Sequence, residues 1–271
     1  MNKVCVLLLA GFAAAPCAHA LSQLQERPAD RYEEALQRAA NADISVPPAV
    51  ELSDKDISAF SGIGILACSV DSGIQTATAF LVGAFDIGVT VAHAFEDARS
   101  GAAATDCFYT SIDSLGQIRE RIPVSYVKSE WSEAGAAHQP GKDVAVFRLS
   151  QPSRYAQKTM PLGKFSGDTA PVIMVGYRAD IGWSTGKRKA SGIAFERSSD
   201  GVARFTHDMD SRGIAPGAPV IDERTGVIIG IHTRLSERNG IITMNEWLEA
   251  TLRSEIQQKA ARNDADKDDS G

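Results

Sequence analysis

From Gly62 to about Ile242 the chain repeats one texture: short apolar runs separated by turn signals. The runs read IGILACSV, TATAFLV, IGVTVAH, CFYTSI, IPVSYV, DVAVFRL, PVIMVGY, ARFTH, APVID, VIIGIH and GIITM. They are rich in Val, Ile, Thr, Phe and Tyr, and Gly, Asp, Ser or Pro punctuate them. Many short strands at near-regular spacing predict an all-β sandwich or barrel rather than alternating β and α units. From Asn245 to Ala261 the period changes, and Trp247, Leu248, Leu252 and Ile256 fall on one side of a predicted amphipathic helix. Residues 262–271 form a charged stretch that reads as a disordered tail. Upstream, Leu24, Tyr32, Leu36 and Ala40 share a helical face before Asp43–Pro48 breaks any helix with tandem prolines. Residues 21–58 therefore read as a helical extension or pro-segment ahead of the β-rich region.

Met1–Ala20 has a single lysine, an apolar run of about a dozen residues and an Ala-His-Ala end, the three parts of a secretory signal peptide. The run is shorter than the ~20 residues a membrane span needs. Cleavage there leaves about 250 residues, enough for one large or two small domains. The location predicted is secreted or periplasmic. The formal net charge is −6 for the whole chain, and the loss of Lys3 makes it more negative. With no Lys/Arg cluster, nucleic acid and anionic membrane are poor partners.

Of four cysteines, two lie in the leader, leaving Cys68 and Cys107 as an even pair in an exported chain. A disulfide is the reading, and two unpaired buried thiols are the alternative. No histidine stands at ligand spacing from them, so neither a metal nor a cofactor is expected.

Three stretches, in order, carry a resemblance to the trypsin-like serine proteases. TATAFLVGAFDIGVTVAHAF resembles the segment ending in the general-base histidine, which the resemblance places at His93. KDVAVFRL resembles the motif that orients that histidine, which gives Asp143 the carboxylate role. HDMDSRGIAPGAPVIDERTGVIIGIHTR resembles the segment that holds the nucleophile and runs into a strand ending Gly-Ile-His. Fifty residues separate the first two positions and about 73 the next two. The segment NGIITMNEWLEATL is closest in texture to the bacterial glutamyl endopeptidases. The resemblance implies two six-stranded Greek-key barrels, about 59–150 and 160–261, with a C-terminal helix and a substrate cleft between the barrels. It also makes the strands of Cys68 and Cys107 neighbours in the first barrel.

Aligned on Gly217, Pro219 and Val220, the family's Ser-Gly-(Ser)-Pro-Val falls on Pro216-Gly217-Ala218-Pro219-Val220. A serine hydroxyl made nucleophilic by a histidine base is the chemistry the family needs. Proline has neither hydroxyl nor N–H. Ile214 occupies the position of the glycine that supplies the second oxyanion donor, and a β-branched residue resists unusual backbone there. The nearest serine, Ser211, is a displaced candidate nucleophile or, by its family position, a wall of the specificity pocket. His232 and Ser211 match the pair with which glutamyl endopeptidases read a substrate carboxylate, while Asp210 beside them favours a basic ligand.

Two functions follow as expectations. One is an inactive protease homologue, a monomer that binds a peptide or protein in the old cleft. The other is an active endopeptidase or hydrolase with a displaced nucleophile. His93 and Asp143 can equally be a buried, hydrogen-bonded pair doing structural work.

Overall fold

The computed structural model describes residues 50–52, 54–97, 100–113, 117–133, 139–165, 169–177, 187–199, 202–207, 214–235 and 238–268. The predicted leader, most of the N-terminal extension, Asp210 and Ser211 lie outside these residues.

Strands β2 (Ile63–Val70), β3 (Gly73–Leu81), β4 (Ile87–Thr90), β5 (Thr105–Ile112), β6 (Ile118–Ser129) and β7 (Ala145–Leu149) close into a barrel in the order β2-β3-β4-β7-β6-β5. Its interior is filled by side chains such as Leu66, Phe80, Tyr109 and Phe147, each at most 1 % exposed. β2, β4 and β7 are buried over most or all of their length, which is why their runs read as nearly continuous, whereas much of β6 faces solvent. Cys68 on β2 and Cys107 on β5 form a disulfide across neighbouring strands, at a sequence separation of 39.

A second sheet runs β1 (Val50–Glu51), β9 (Arg188–Ser199), β10 (Val202–His207), β13 (Arg238–Thr243), β12 (Ile228–Leu235), β11 (Pro219–Asp222) and β8 (Thr169–Gly176). Because β8 also pairs with β9, six of these strands follow one another round a ring, and β1 is added outside it at Lys189 and Arg188. Val172, Met174, Ile214, Val220, Ile229 and Ile241 fill its core. Together with helix α1 (Asp54–Ala59), β1 is the part of the N-terminal extension that the structure describes. A short helix, α2 (Glu130–Glu133), follows β6.

Where β9 begins, the main chain of Lys187 accepts a hydrogen bond from Leu52 (3.1 Å). Its side chain, 3 % exposed, donates from Nζ to the carbonyl of Phe60 at 2.7 Å. The Nζ lies 6.0 Å from the centre of the Tyr177 ring. Burial alone pulls the amine down to a pKa of about 7.

Helix α3 (Glu246–Asp268) runs through seven residues, 262–268, that the sequence reading assigned to a tail. Asn245 caps it, accepting the Leu248 N–H at 2.8 Å while donating to Glu130 of the first barrel. Leu248 and Leu252 are buried. One turn further, Glu255 is bound by Arg148 (2.8 Å) on β7 and Lys128 (3.1 Å) on β6. Arg148 also approaches Asp86, which pairs with Lys259 of the same helix. The last helix leaves the second barrel and is riveted to the first.

Candidate functional site

The local sequence delivers His93 to the surface. Strand β4 ends at Thr90, buried Val91 and Ala92 follow, and a single 3₁₀ turn over Ala92–Phe95 carries the histidine. Ala92 and Ala94 anchor the turn inward, which leaves the His93 side chain 41 % exposed. Asp143 lies between the short turn Pro140–Lys142 and β7, and it is 4 % exposed.

The two residues meet. His93 donates its backbone N–H to Asp143 Oδ1 at 2.9 Å, and its Nδ1 lies 2.8 Å from Oδ2. A carboxylate only accepts, so Nδ1 carries the proton and the neutral ring keeps its lone pair on Nε2. Thr233 Oγ1, on β12 of the second sheet, donates to the same Oδ2 at 2.8 Å. One buried carboxylate therefore collects three donors from both halves of the molecule. Thr233 escaped the sequence reading, for a lone strand threonine carries no signal until folding sets it beside Asp143.

The segment 214–217 lies in the second sheet's half but is pinned to the first barrel. Ala215 N–H donates to the Tyr177 carbonyl (2.7 Å), Gly217 N–H to the His232 carbonyl (2.8 Å), and His232 N–H to the Ala218 carbonyl (2.8 Å). Pro216 donates nothing, and its carbonyl accepts the Thr78 N–H at 2.8 Å. Thr78 in turn receives Thr90 Oγ1 on its carbonyl (2.7 Å) and the Tyr177 N–H on its hydroxyl (3.3 Å). A chain of hydrogen bonds thus links Pro216, through Thr78, to the strand that presents His93.

Gly217 has φ +90, and a Cβ there would strike Thr78 O and Thr90 Oγ1. Ile214, 4 % exposed, points into the core of the second sheet, where a Cβ on Gly176 would sit 2.8 Å from its Cγ2. His232 is buried (2 %). Asp210 and Ser211 fall outside the described residues, so the pocket assigned to them with His232 is not described either. Among the described residues no group of three or more His, Cys, Asp or Glu could hold a metal ion.

Solved structures share this architecture. A Glu endopeptidase structure superimposes with a TM-score of 0.63 at 12% identity, covering 79% of this chain and 99% of that one. The fold is that of the trypsin-like serine proteases. The scabies mite inactivated protease paralogue S-I1 matches with a TM-score of 0.57 at 13% identity over 79% of this chain and 100% of its own. The VesB protease of Vibrio cholerae matches at 0.56 and 16% identity, covering 77% of this chain and 67% of that one. No protein-family model matches the chain, and no curated protein does.

Proposed function

We propose that the chain is an exported protease homologue that has given up serine-type peptide cleavage and holds a peptide or protein segment in the cleft between its two halves. The observation that carries this reading is Pro216, at the position the resemblance gives to the nucleophile. Its only backbone polar group is spent on Thr78, and it has no N–H for an oxyanion. Loss of a single oxyanion donor costs roughly 10²–10³ in rate, and loss of the nucleophile costs more. Of the neighbouring amides, Ala215 and Gly217 are turned to Tyr177 and His232. The Ile214 side chain is anchored in the core, which ties down the backbone that would have to present the second donor.

Binding is supported by the edge of β12. On one side, residues Thr233–Leu235 pair with β13. On the other, β11 reaches only to Pro219 opposite Ile231, so among the described residues the last three residues of β12 have no strand beside them there. An extended peptide can add to such an edge through main-chain hydrogen bonds. Export is supported by the leader-like Met1–Ala20 and by the Cys68–Cys107 bridge. The scabies mite paralogue is an example of this fold in a protein described as inactivated.

A second reading, an active hydrolase using Ser211, is favoured by the His93–Asp143–Thr233 cluster, which is fully assembled for base catalysis.

Labelling with a fluorophosphonate probe separates the two. The purified protein is expected to stay unlabelled beside an active serine protease, and Pro216→Ser also stays weak because Ile214 is unchanged. Stoichiometric labelling of the native chain would overturn the proposal, and the labelled peptide would identify the serine.

A further inference from the structure

We propose that His93 is itself an acyl-accepting nucleophile, which gives the protein a slow, serine-independent hydrolysis of small activated esters. The inference rests on the reading of Pro216 above. In a complete site the proton of a serine hydroxyl would occupy Nε2; here nothing at position 216 can. The Asp143 carboxylate holds the histidine at two points, backbone N–H and Nδ1, so the carboxylate stays in register with the histidine's main chain and the ring cannot swing away without losing its Nδ1 bond. Thr233 fixes that carboxylate from the far side. The tautomer is thereby locked with the lone pair on Nε2, on a ring that is 41 % exposed and reachable by a small ester. An ordinary surface histidine samples both tautomers and many rotamers; this one is preorganised.

The chemistry balances as follows. The Nε2 lone pair adds to the carbonyl carbon of an aryl ester, the C–O bond to the aryl group breaks, and the phenolate leaves with its electron pair. The acyl group now sits on Nε2 of an imidazolium whose Nδ1 proton remains on the hydrogen bond to Asp143. Water attacks the acyl carbon, the C–N bond breaks to return the lone pair to Nε2, and the carboxylic acid and one proton pass to solvent. With Pro216 giving no oxyanion donor, only esters with good leaving groups react.

The test uses the full chain and 4-nitrophenyl acetate. Release of 4-nitrophenolate should fall by roughly tenfold or more in His93→Ala, a modest effect beside the 10²–10⁴ of a positioned group in a complete site. Asp143→Asn should fall comparably, because an amide N–H facing Nδ1 moves the ring proton to Nε2 and removes the nucleophile. Acid quenching of the native protein followed by mass spectrometry should place the acetyl group on the His93 peptide, a readout that needs no variant to fold. Equal release by the native protein and His93→Ala, or an adduct only elsewhere, overturns this inference and leaves the Pro216 reading intact. Release abolished by a fluorophosphonate would instead show a serine at work and overturn both.

Discussion

Lys187 is a costly side chain to bury, and removing it should stabilise the fold. Lys187 is 3 % exposed, and its amine meets the Phe60 carbonyl and the Tyr177 ring. Its pKa falls from 10.5 to about 7 because burial penalises the ammonium. At 1.36 kcal/mol per pKa unit, that displacement corresponds to roughly 5 kcal/mol. Below about pH 7 folded and unfolded chains both hold the proton, and the whole penalty bears on the native state. Between about 7 and 10.5 the unfolded chain binds more protons, so stability rises with pH, and above 10.5 the penalty has vanished.

Lys187→Met keeps the apolar stem and loses the bond to Phe60, which costs about 1–3 kcal/mol. The variant should therefore be more stable than the native protein by roughly 2–4 kcal/mol at pH 6.5, and slightly less stable near pH 10. Urea unfolding of both proteins at intervals across that range measures the difference directly. Other titrations cancel in the comparison. Parallel pH profiles, or a variant less stable throughout, would refute the argument.

Glu255→Gln should lower stability by about 3–5 kcal/mol in urea unfolding, because it strands the buried Arg148. Replacing both partners with apolar residues should recover much of that loss. The same pair gives acid sensitivity. Burial works against the Glu255 carboxylate, but hydrogen bonds from Tyr126, Arg148 and Lys128 outweigh it and hold its pKa below the usual range. Its contribution is thus present above the ordinary carboxylate range and lost as pH falls through the lowered value, which the exchange protection of α3 amides would report. Gly217→Ala should cost more than about 3 kcal/mol, since it combines positive φ with a collision against Thr78 and Thr90, and thermal unfolding would register the drop. Thr233→Val should cost about 1–3 kcal/mol in urea by leaving Asp143 a donor short, while Thr233→Ser should restore it.

The strands were legible where side chains face a packed interior. IGILACSV coincides with β2, and PVIMVGY covers most of β8 with Tyr177 just beyond it. β9 was missed because its buried positions include Ala190 and Ala194, small residues set among lysine, serine and glycine. They suit a place where barrel strands crowd together, and they give no hydrophobic alternation to read. Motifs brought His93 and Asp143 together across fifty positions, because the family they resemble carries both residue types in that order. Thr233, Thr78 and Lys187 were invisible for the opposite reason. Each acts through a partner far away in the chain, Asp143, Pro216 and Phe60, and a polar residue's tertiary partner leaves no local trace. The helix also outran its prediction, since residues 262–268 contain neither glycine nor proline to stop it.

The rivet between α3 and the first barrel sets an order of events during synthesis. A chain emerging from its amino end completes the six strands of that barrel by Leu149, yet Arg148 then waits for Glu255, 107 residues later. Until then an arginine on the last barrel strand faces a surface with no helix to cover it. The first half is thereby kept from reaching its final stability on the ribosome.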